Sequence, residues 1–382
     1  MKKSAINFLL LFTTVLFCLL LTELGLRIFH PQNLTLSYQT RDGLRILRPN
    51  HSGIARSADT VEHYQINALG MRDREHQLEK PKGTYRILIL GDSFMEALQV
   101  SFERSFPSIL ERRLNQISRR PIEVINAAVS GWGTDDEFTY LRRYGSKLKP
   151  DLILIAMTMT NDVSDNLAEK FHTLVNNELV EKPVHQFSLV EYRLWQVKAF
   201  LGSHSHLYQL SRLWWHFKEM EVGAQQLSAH VTDQFRKEPN ERIIRGWRLT
   251  FELLKGIKTC GKEIGAETMI FLIPISIQLD DEKLARFYVD HQLTKDSIRL
   301  ERPQELMKEF GKAEAIEVFD LLPGFKEFHS QNRSPLVLKH DGHWTEAGHT
   351  VAADIVIKEL IQRLLLEQTA TVNGRISQAS AR

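Results

Sequence analysis

Tyr85-Arg86-Ile87-Leu88-Ile89-Leu90-Gly91-Asp92-Ser93-Phe94 is the stretch on which the fold turns. A run rich in branched apolar residues ends in Gly-Asp-Ser, which predicts a buried strand leaving its sheet through a tight turn. Downstream, Phe106 to Ile117 has helical spacing, Ile122 to Val129 reads as a second strand, and Asp135 to Leu148 as a helix closed by Pro150. Asp151 to Met157 is a third strand, and its Leu152-Ile153-Leu154-Ile155-Ala156 is apolar throughout, as in a parallel strand covered on both faces. Strand, helix, strand, helix, strand in this order predicts a three-layer α/β/α sandwich around a parallel sheet.

The alternation stops between residues 163 and 245, where no strand is evident and a helical insertion is expected. Tyr192-Arg193-Leu194-Trp195 and Leu207 to Phe217, with Trp214-Trp215, carry its aromatic residues. Two readings stand for them: packing against the main domain, or a lid or acceptor-binding wall. The pattern resumes with a helix from Ile243 to Ile264 and strands at Thr268 to Ile275 and Ile316 to Leu321. Pro303 to Phe310 is a helical segment, and a long amphipathic helix runs from Thr345 to about Leu366.

The N-terminus predicts a membrane segment. Lys2 and Lys3 precede the uncharged run Ser4 to Thr22, which as a helix spans about 28 Å, close to a bilayer core. Thr22-Glu23-Leu24-Gly25-Leu26-Arg27 makes a poor signal-cleavage site, and Glu23 and Arg27 are spaced to pair on a helix leaving the membrane. An uncleaved anchor is favoured over a cleaved signal. The two lysines place the N-terminus in the cytoplasm and the main domain outside, on the periplasmic side if there is an outer membrane. The expected organisation is a signal anchor at 1–30, an extension packing on the main domain at 31–84, the main domain at 85–367 with its insertion at 163–245, and a disordered tail at 368–382.

Composition narrows the function. The 382 residues are 43% hydrophobic and 25% charged with a net charge of +2, which describes a globular protein. There is no basic block, so a nucleic-acid partner is not expected. Of two cysteines, Cys18 lies in the apolar run and Cys260 is alone in the remainder, so the main domain has neither a disulfide nor a cysteine zinc site.

The chemistry gathers at strand exits. Ser93 follows the first strand, Ser130-Gly131 the second, and Asn161-Asp162 the third, while His340-Asp341-Gly342-His343-Trp344 precedes the last helix. In an open α/β sheet these exits share one edge, where ligands bind. A serine needs a neighbouring base, the base an orienting carboxylate, and the tetrahedral oxyanion fixed donors.

This constellation resembles the SGNH/GDSL hydrolases, named for Ser, Gly, Asn and His in four sequence blocks. The resemblance covers about 85 to 365 without the insertion. It implies a flavodoxin-like sandwich, an ester hydrolase or acyltransferase, and no cofactor. Ser93 matches the nucleophile, which also donates its N–H to the oxyanion hole. Gly131 and Asn161 match the other two oxyanion donors, His343 the base and Asp341 its carboxylate. Two features depart from the common pattern: Asp341 stands two residues before His343 where many members have three, and Thr160 replaces a glycine before Asn-Asp. The Asp-x-His-Trp form is similar to that of polysaccharide O-acetyltransferases, which implies small acyl esters, chiefly acetyl, on an envelope polysaccharide. A lipase or general carboxylesterase, with Trp195, Trp214 and Trp215 lining an acyl channel, and a non-catalytic glycan-binding module are the alternatives. Protein partners are not readable. His340 and His349 flank the same segment, and surface or capping roles are expected for them rather than a metal. Asp92 is expected to cap its own turn.

Overall fold

The computed structural model describes residues 2–32, 34, 38–159, 161–183, 188–212, 232–332 and 334–361. Thr160, Trp214, Trp215 and the tail at 368–382 lie outside them, as does the side chain of Trp195. The chain divides into two compact units, Met1–Tyr38 with His185–Leu227, and Gln39–Val184 with Ser228–Arg382.

In the first unit, α1 (Lys2–Phe29) is long and apolar enough to cross a membrane. Its large apolar side chains from Ile6 to Leu24, with Ile28 and Phe29, are exposed, while Leu26 is half-buried.

The second unit begins with two antiparallel pairs, β1 (Tyr38–Arg41) with β2 (Leu44–Leu47), and β3 (Ser52–Arg56) with β4 (Val61–Gln65). Then come β5 (Tyr85–Leu90), the short helix α2 (Ser93–Glu96), α3 (Phe106–Ile117), β6 (Ile122–Asn126), α4 (Thr134–Arg143), β7 (Leu152–Thr158) and α5 (Asp162–Asn166). A hairpin follows, β8 (His172–Val175) with β9 (Glu178–Glu181). It corrects the expectation of a strand-free insertion. Its strands have four residues each, too short for a period to show, and its signal was the Asn176-Asn177 pair, both at positive φ (51° and 65°) in a two-residue turn. Helix α6 (Leu189–His204) belongs to the first unit. The second resumes with α7 (Glu241–Glu263), β10 (Glu267–Ile273), α8 (Asp281–Asp290), α9 (Arg302–Glu314), β11 (Glu317–Asp320), α10 (Leu322–Gln331) and a helix over 346–361.

Five parallel strands form the central sheet in the order β11-β10-β7-β5-β6. Counting from β5, that is the flavodoxin-like order, with its switch point between β5 and β7. One face packs Ile87, Ile89, Leu154 and Phe271 against Phe106 and Leu110 of α3, Phe325 of α10, and Val356 and Leu360 of the last helix. On the other, α7 packs on α4 and β10, and Phe251 stacks on Phe310 of α9 with ring centroids 4.6 Å apart. Ile87 to Leu90 are all 0% exposed, which explains why β5 reads as unbroken apolar sequence instead of alternating.

Residues 64–76 carry buried groups of their own. Tyr64, Ile66, Met71, Arg72 and His76 are all buried. His76 Nδ1 lies 2.7 Å from Glu123 Oε1 and its Nε2 3.0 Å from Asp73 Oδ2, while Arg86 Nε donates to Glu123 Oε2 at 2.8 Å. Burial opposes protonation of His76, but Asp73 and Glu123 outweigh it and raise the imidazole to about 9. Burial likewise opposes ionisation of Glu123, yet His76 and Arg86 hold it at about 2. A folded-state value above the ordinary 6.5 means that His76 stabilises fully below 6.5 and that this is lost as pH rises through about 9. Thermal midpoints are expected to fall between about pH 7 and pH 10 in the native chain and to fall less in His76→Gln. Parallel curves for the two proteins would contradict this assignment.

Candidate active site

The site is built on the exits of β5, β6 and β7. After β5, Asp92 caps α2: its Oδ1 accepts from Phe94 N at 3.0 Å, and Ser93 becomes the first helical residue. Helix α2 lasts four residues and ends at Ala97, whose φ is +55°. Two buried groups hold this turn. Arg72 donates from Nη1 to the carbonyls of Glu96 (2.9 Å) and Ala97 (2.8 Å), and from Nη2 to that of Val100 (2.6 Å). Asn126, the last residue of β6, donates from Nδ2 to Met95 O at 2.8 Å.

Glu96, itself 0% exposed, accepts from Ser130 N at 2.5 Å and so ties the loop after β6 to the helix of Ser93. Trp132, 1% exposed, fixes that loop from the other side by donating Nε1 to Arg45 O at 2.7 Å. Between them Gly131 adopts φ +79°, where a side chain would strain the backbone that presents its N–H.

Asn161 follows β7. Its amide nitrogen donates to Asp165 Oδ2 at 2.8 Å and, at 3.4 Å, to Asp92 Oδ2, which brings it beside the Ser93 turn. Burial lifts the Asp165 carboxyl to about 6 against the lowering effect of Asn161 and Lys170. Burial also raises Asp92, and it raises Glu137 and Asp162 well above the carboxylate range because they share the same buried region. Asp162 Oδ2 accepts from Thr158 N at 2.7 Å and closes the turn that carries Asn161.

His343 comes from the segment before the last helix. Its Nε2 is 2.7 Å from Ser93 Oγ, and its Nδ1 is hydrogen-bonded to Asp341 Oδ1. Gly342 between them has φ +84°, and this reversal is what lets an aspartate only two residues away reach the same imidazole. Burial favours the neutral form of Asp341, but the hydrogen bond and charge of His343 outweigh it and hold the carboxyl below its usual range. Phe94 packs on the His343 ring, 4.9 Å between centroids, and edge-on to the buried Trp344 at 5.2 Å.

His349 is buried, and its Nδ1 accepts from Phe106 N at 3.3 Å at the start of α3, a capping contact. Burial drops it to about 3, so it stays neutral. His340 is exposed.

Sequence reasoning missed four residues of this site: Arg72, Glu96, Asp165 and Asp59. Asp59 lies in the turn of the β3–β4 hairpin, where Ser57 N donates to Thr60 O at 2.9 Å. Its Oδ2 accepts from the backbone N–H groups of both His340 and Asp341 at 2.8 Å. A surface turn in the extension therefore holds the backbone that carries Asp341 and His343. Asp59→Ala is expected to lower kcat by about 10- to 100-fold, since a displacement of about 1 Å is enough for such a loss. Asp59→Asn, whose amide oxygen accepts the same two bonds, is expected to keep most of the activity. Steady-state kinetics on an acetyl ester decide it, and equal losses in the two variants would sink the positioning role.

Residues 87–189 match the family model described as GDSL-like Lipase/Acylhydrolase. No curated protein matches the sequence. Similar solved structures include TesA (14% identity, covering 72% of this chain and 98% of that one, TM-score 0.38). Others are a lipase/acylhydrolase from Enterococcus faecalis (15%, 73% and 96%, TM-score 0.36) and the acetylxylan esterase Axe2 from Geobacillus stearothermophilus (14%, 72% and 93%, TM-score 0.40).

Proposed function

We propose that the chain is an ester-cleaving hydrolase that works through an acyl-enzyme at Ser93, a reading supported by the match of residues 87–189 to the GDSL-like lipase/acylhydrolase model. The observation that carries this is the chain of hydrogen bonds from Ser93 Oγ through both nitrogens of His343 to Asp341. Ser93 Oγ attacks the ester carbonyl while His343 Nε2 takes its proton, and Asp341 holds the imidazole in the tautomer that can accept it. The oxyanion is met by the N–H groups of Ser93 and Gly131 and by the Asn161 amide. The long 3.4 Å contact of that amide with Asp92 is the one an oxyanion displaces, while Asp165 keeps the other N–H. Collapse of the intermediate expels the alcohol, which takes the proton from His343. Water or a sugar hydroxyl then attacks the acyl-enzyme by the same steps in reverse.

The favoured substrate is a small acyl ester, chiefly acetyl, on an extracytoplasmic polysaccharide, and the enzyme either removes the group or transfers it. The Asp341-Gly342-His343-Trp344 motif and an N-terminal helix suited to anchoring support this reading. On it, residues 1–30 are the anchor, 31–84 an extension serving the hydrolase domain at 85–367, and that domain lies outside the cytoplasmic membrane. The test supplies an acetyl donor with and without a de-acetylated envelope glycan and measures free acetate against O-acetyl glycan. Transfer predicts acetyl on the glycan. Free acetate alone, in both conditions, leaves the hydrolase and removes the transferase. Faster turnover of long than of short acyl chains would favour a lipase.

A further inference from the structure

Helix α6 presents an apolar face to solvent. Leu189, Val190, Leu194, Val197 and Phe200 are 55–73% exposed. At 100° per residue they fall within an arc of about 140°. Glu191 and Lys198 lie outside the arc. Arg193 lies within it, on a side chain long enough to carry its charge to the edge. An exposed apolar face of this size marks a contact surface.

The end of α6 is tied to one particular place on α1. Arg27 donates from Nη2 to His204 O at 2.5 Å. The Glu23 carboxylate accepts from Ser205 Oγ (2.9 Å), His206 N (3.0 Å) and Leu207 N (2.9 Å). Gln32 N adds a bond to His206 Nδ1 at 2.8 Å. Glu23 and Arg27 also pair with each other, Nε to Oε1 at 2.8 Å, so the two ends of the tie brace one another. Glu23 is the first charged residue after the apolar run of α1, which starts beyond Lys3. The contact therefore fixes the C-terminal end of α6 at the level where a spanning α1 leaves the hydrocarbon.

We propose that α6 lies in the membrane interface, with Val190, Leu194, Val197 and Phe200 facing the acyl chains, so that the enzyme meets the bilayer through two elements rather than one. The occupant of the face is lipid. The tie to Glu23 and Arg27 selects it, because any apolar surface held at that depth meets lipid first. Arg193 and Lys198 suit the phosphate level above it. The inference rests on the reading of α1 as a membrane span.

The full-length chain, with Cys18 and Cys260 replaced by serine, is labelled with an environment-sensitive fluorophore at Val197→Cys. It is reconstituted in vesicles of phosphatidylcholine and phosphatidylglycerol. Parallel samples carry the label at Leu11→Cys in α1 and at Val289→Cys on exposed α8. Lipids with a spin label on the acyl chain are expected to quench most of the fluorescence at 11 and at 197 and none at 289, with aqueous iodide giving the reverse order. Quenching at 11 with iodide access at 197 overturns the proposal and leaves the anchor standing. No lipid quenching at 11 overturns the anchor, and the proposal with it. A label at 197 shielded from both quenchers means that protein covers the face, a second copy or a partner, and overturns the lipid assignment.

Discussion

Ser93→Ala is expected to lower kcat/KM for an acetyl ester by about 10⁴-fold or more, His343→Ala to do the same, and the double variant to lose no more than either alone. The reason is that the two act as one unit. Ser93 Oγ sits 2.7 Å from His343 Nε2, and without the imidazole the hydroxyl is a poor nucleophile at neutral pH. What survives is transition-state stabilisation by the oxyanion donors, worth roughly 10³-fold over water. Asp341→Asn is expected to cost about 10³- to 10⁴-fold, because an amide can hold the imidazole in the wrong tautomer. Initial rates on p-nitrophenyl acetate, with fluorophosphonate labelling of the native chain as a count of competent serines, measure all four variants against the native chain. Ser93→Ala retaining a tenth of the native rate would remove Ser93 from the mechanism.

Arg72→Met is expected to destabilise the fold by about 3 kcal/mol or more. Arg72 is 2% exposed and satisfies the carbonyls of Glu96, Ala97 and Val100. Methionine fills much of the same volume but leaves the carbonyls of Glu96 and Val100 without that donor, at about 1–3 kcal/mol each before relaxation, while Ala97 O keeps the N–H of Val100 at 3.3 Å. Ala97 adds to the loss. A non-glycine residue at φ +55° is held there by its surroundings, and Arg72 is a large part of them. Burial lowers the guanidinium only to about 10, helped back up by Glu96, so it remains charged at neutral pH. Ser93 opens the turn whose far end Arg72 holds, so activity should fall along with stability. Urea unfolding of the variant against the native chain measures the first, and kcat the second. A midpoint unchanged within error would show that the carbonyls find other donors and that the turn stands without Arg72.

Much of the sheet was legible because its signal is local. Five runs of branched apolar residues separated by helical spacing lead to a layered parallel sheet, and β5 through β7 lie within a residue or so of their expected ends except at Val129, where the strand stops earlier at Asn126. There the Asn126 side chain turns in to Met95 O and the backbone departs to form the loop of Gly131. Helix α10 was not among the expected elements; Pro323 stands in its first turn, where a proline gives up an N–H that has no partner there anyway. The strand-edge residues Ser93, Gly131 and Asn161 could be named in advance because an α/β sheet puts the exits of its strands on one edge whatever its details.

By itself the sequence determined the layered sheet, the apolar N-terminal helix and the identity of the polar residues at the strand exits, because each follows from the character of residues close together in the chain. Tertiary structure alone decided that Asp59 holds the backbone of His340 and Asp341 from 281 and 282 residues away, that Arg72 and Glu96 brace the turn of Ser93, and that α6 is bound to the end of α1. Each of these is a contact between a charged group and backbone or a side chain that folding brings to it, and a charged residue in a polar segment carries no periodicity to announce which distant group it will meet.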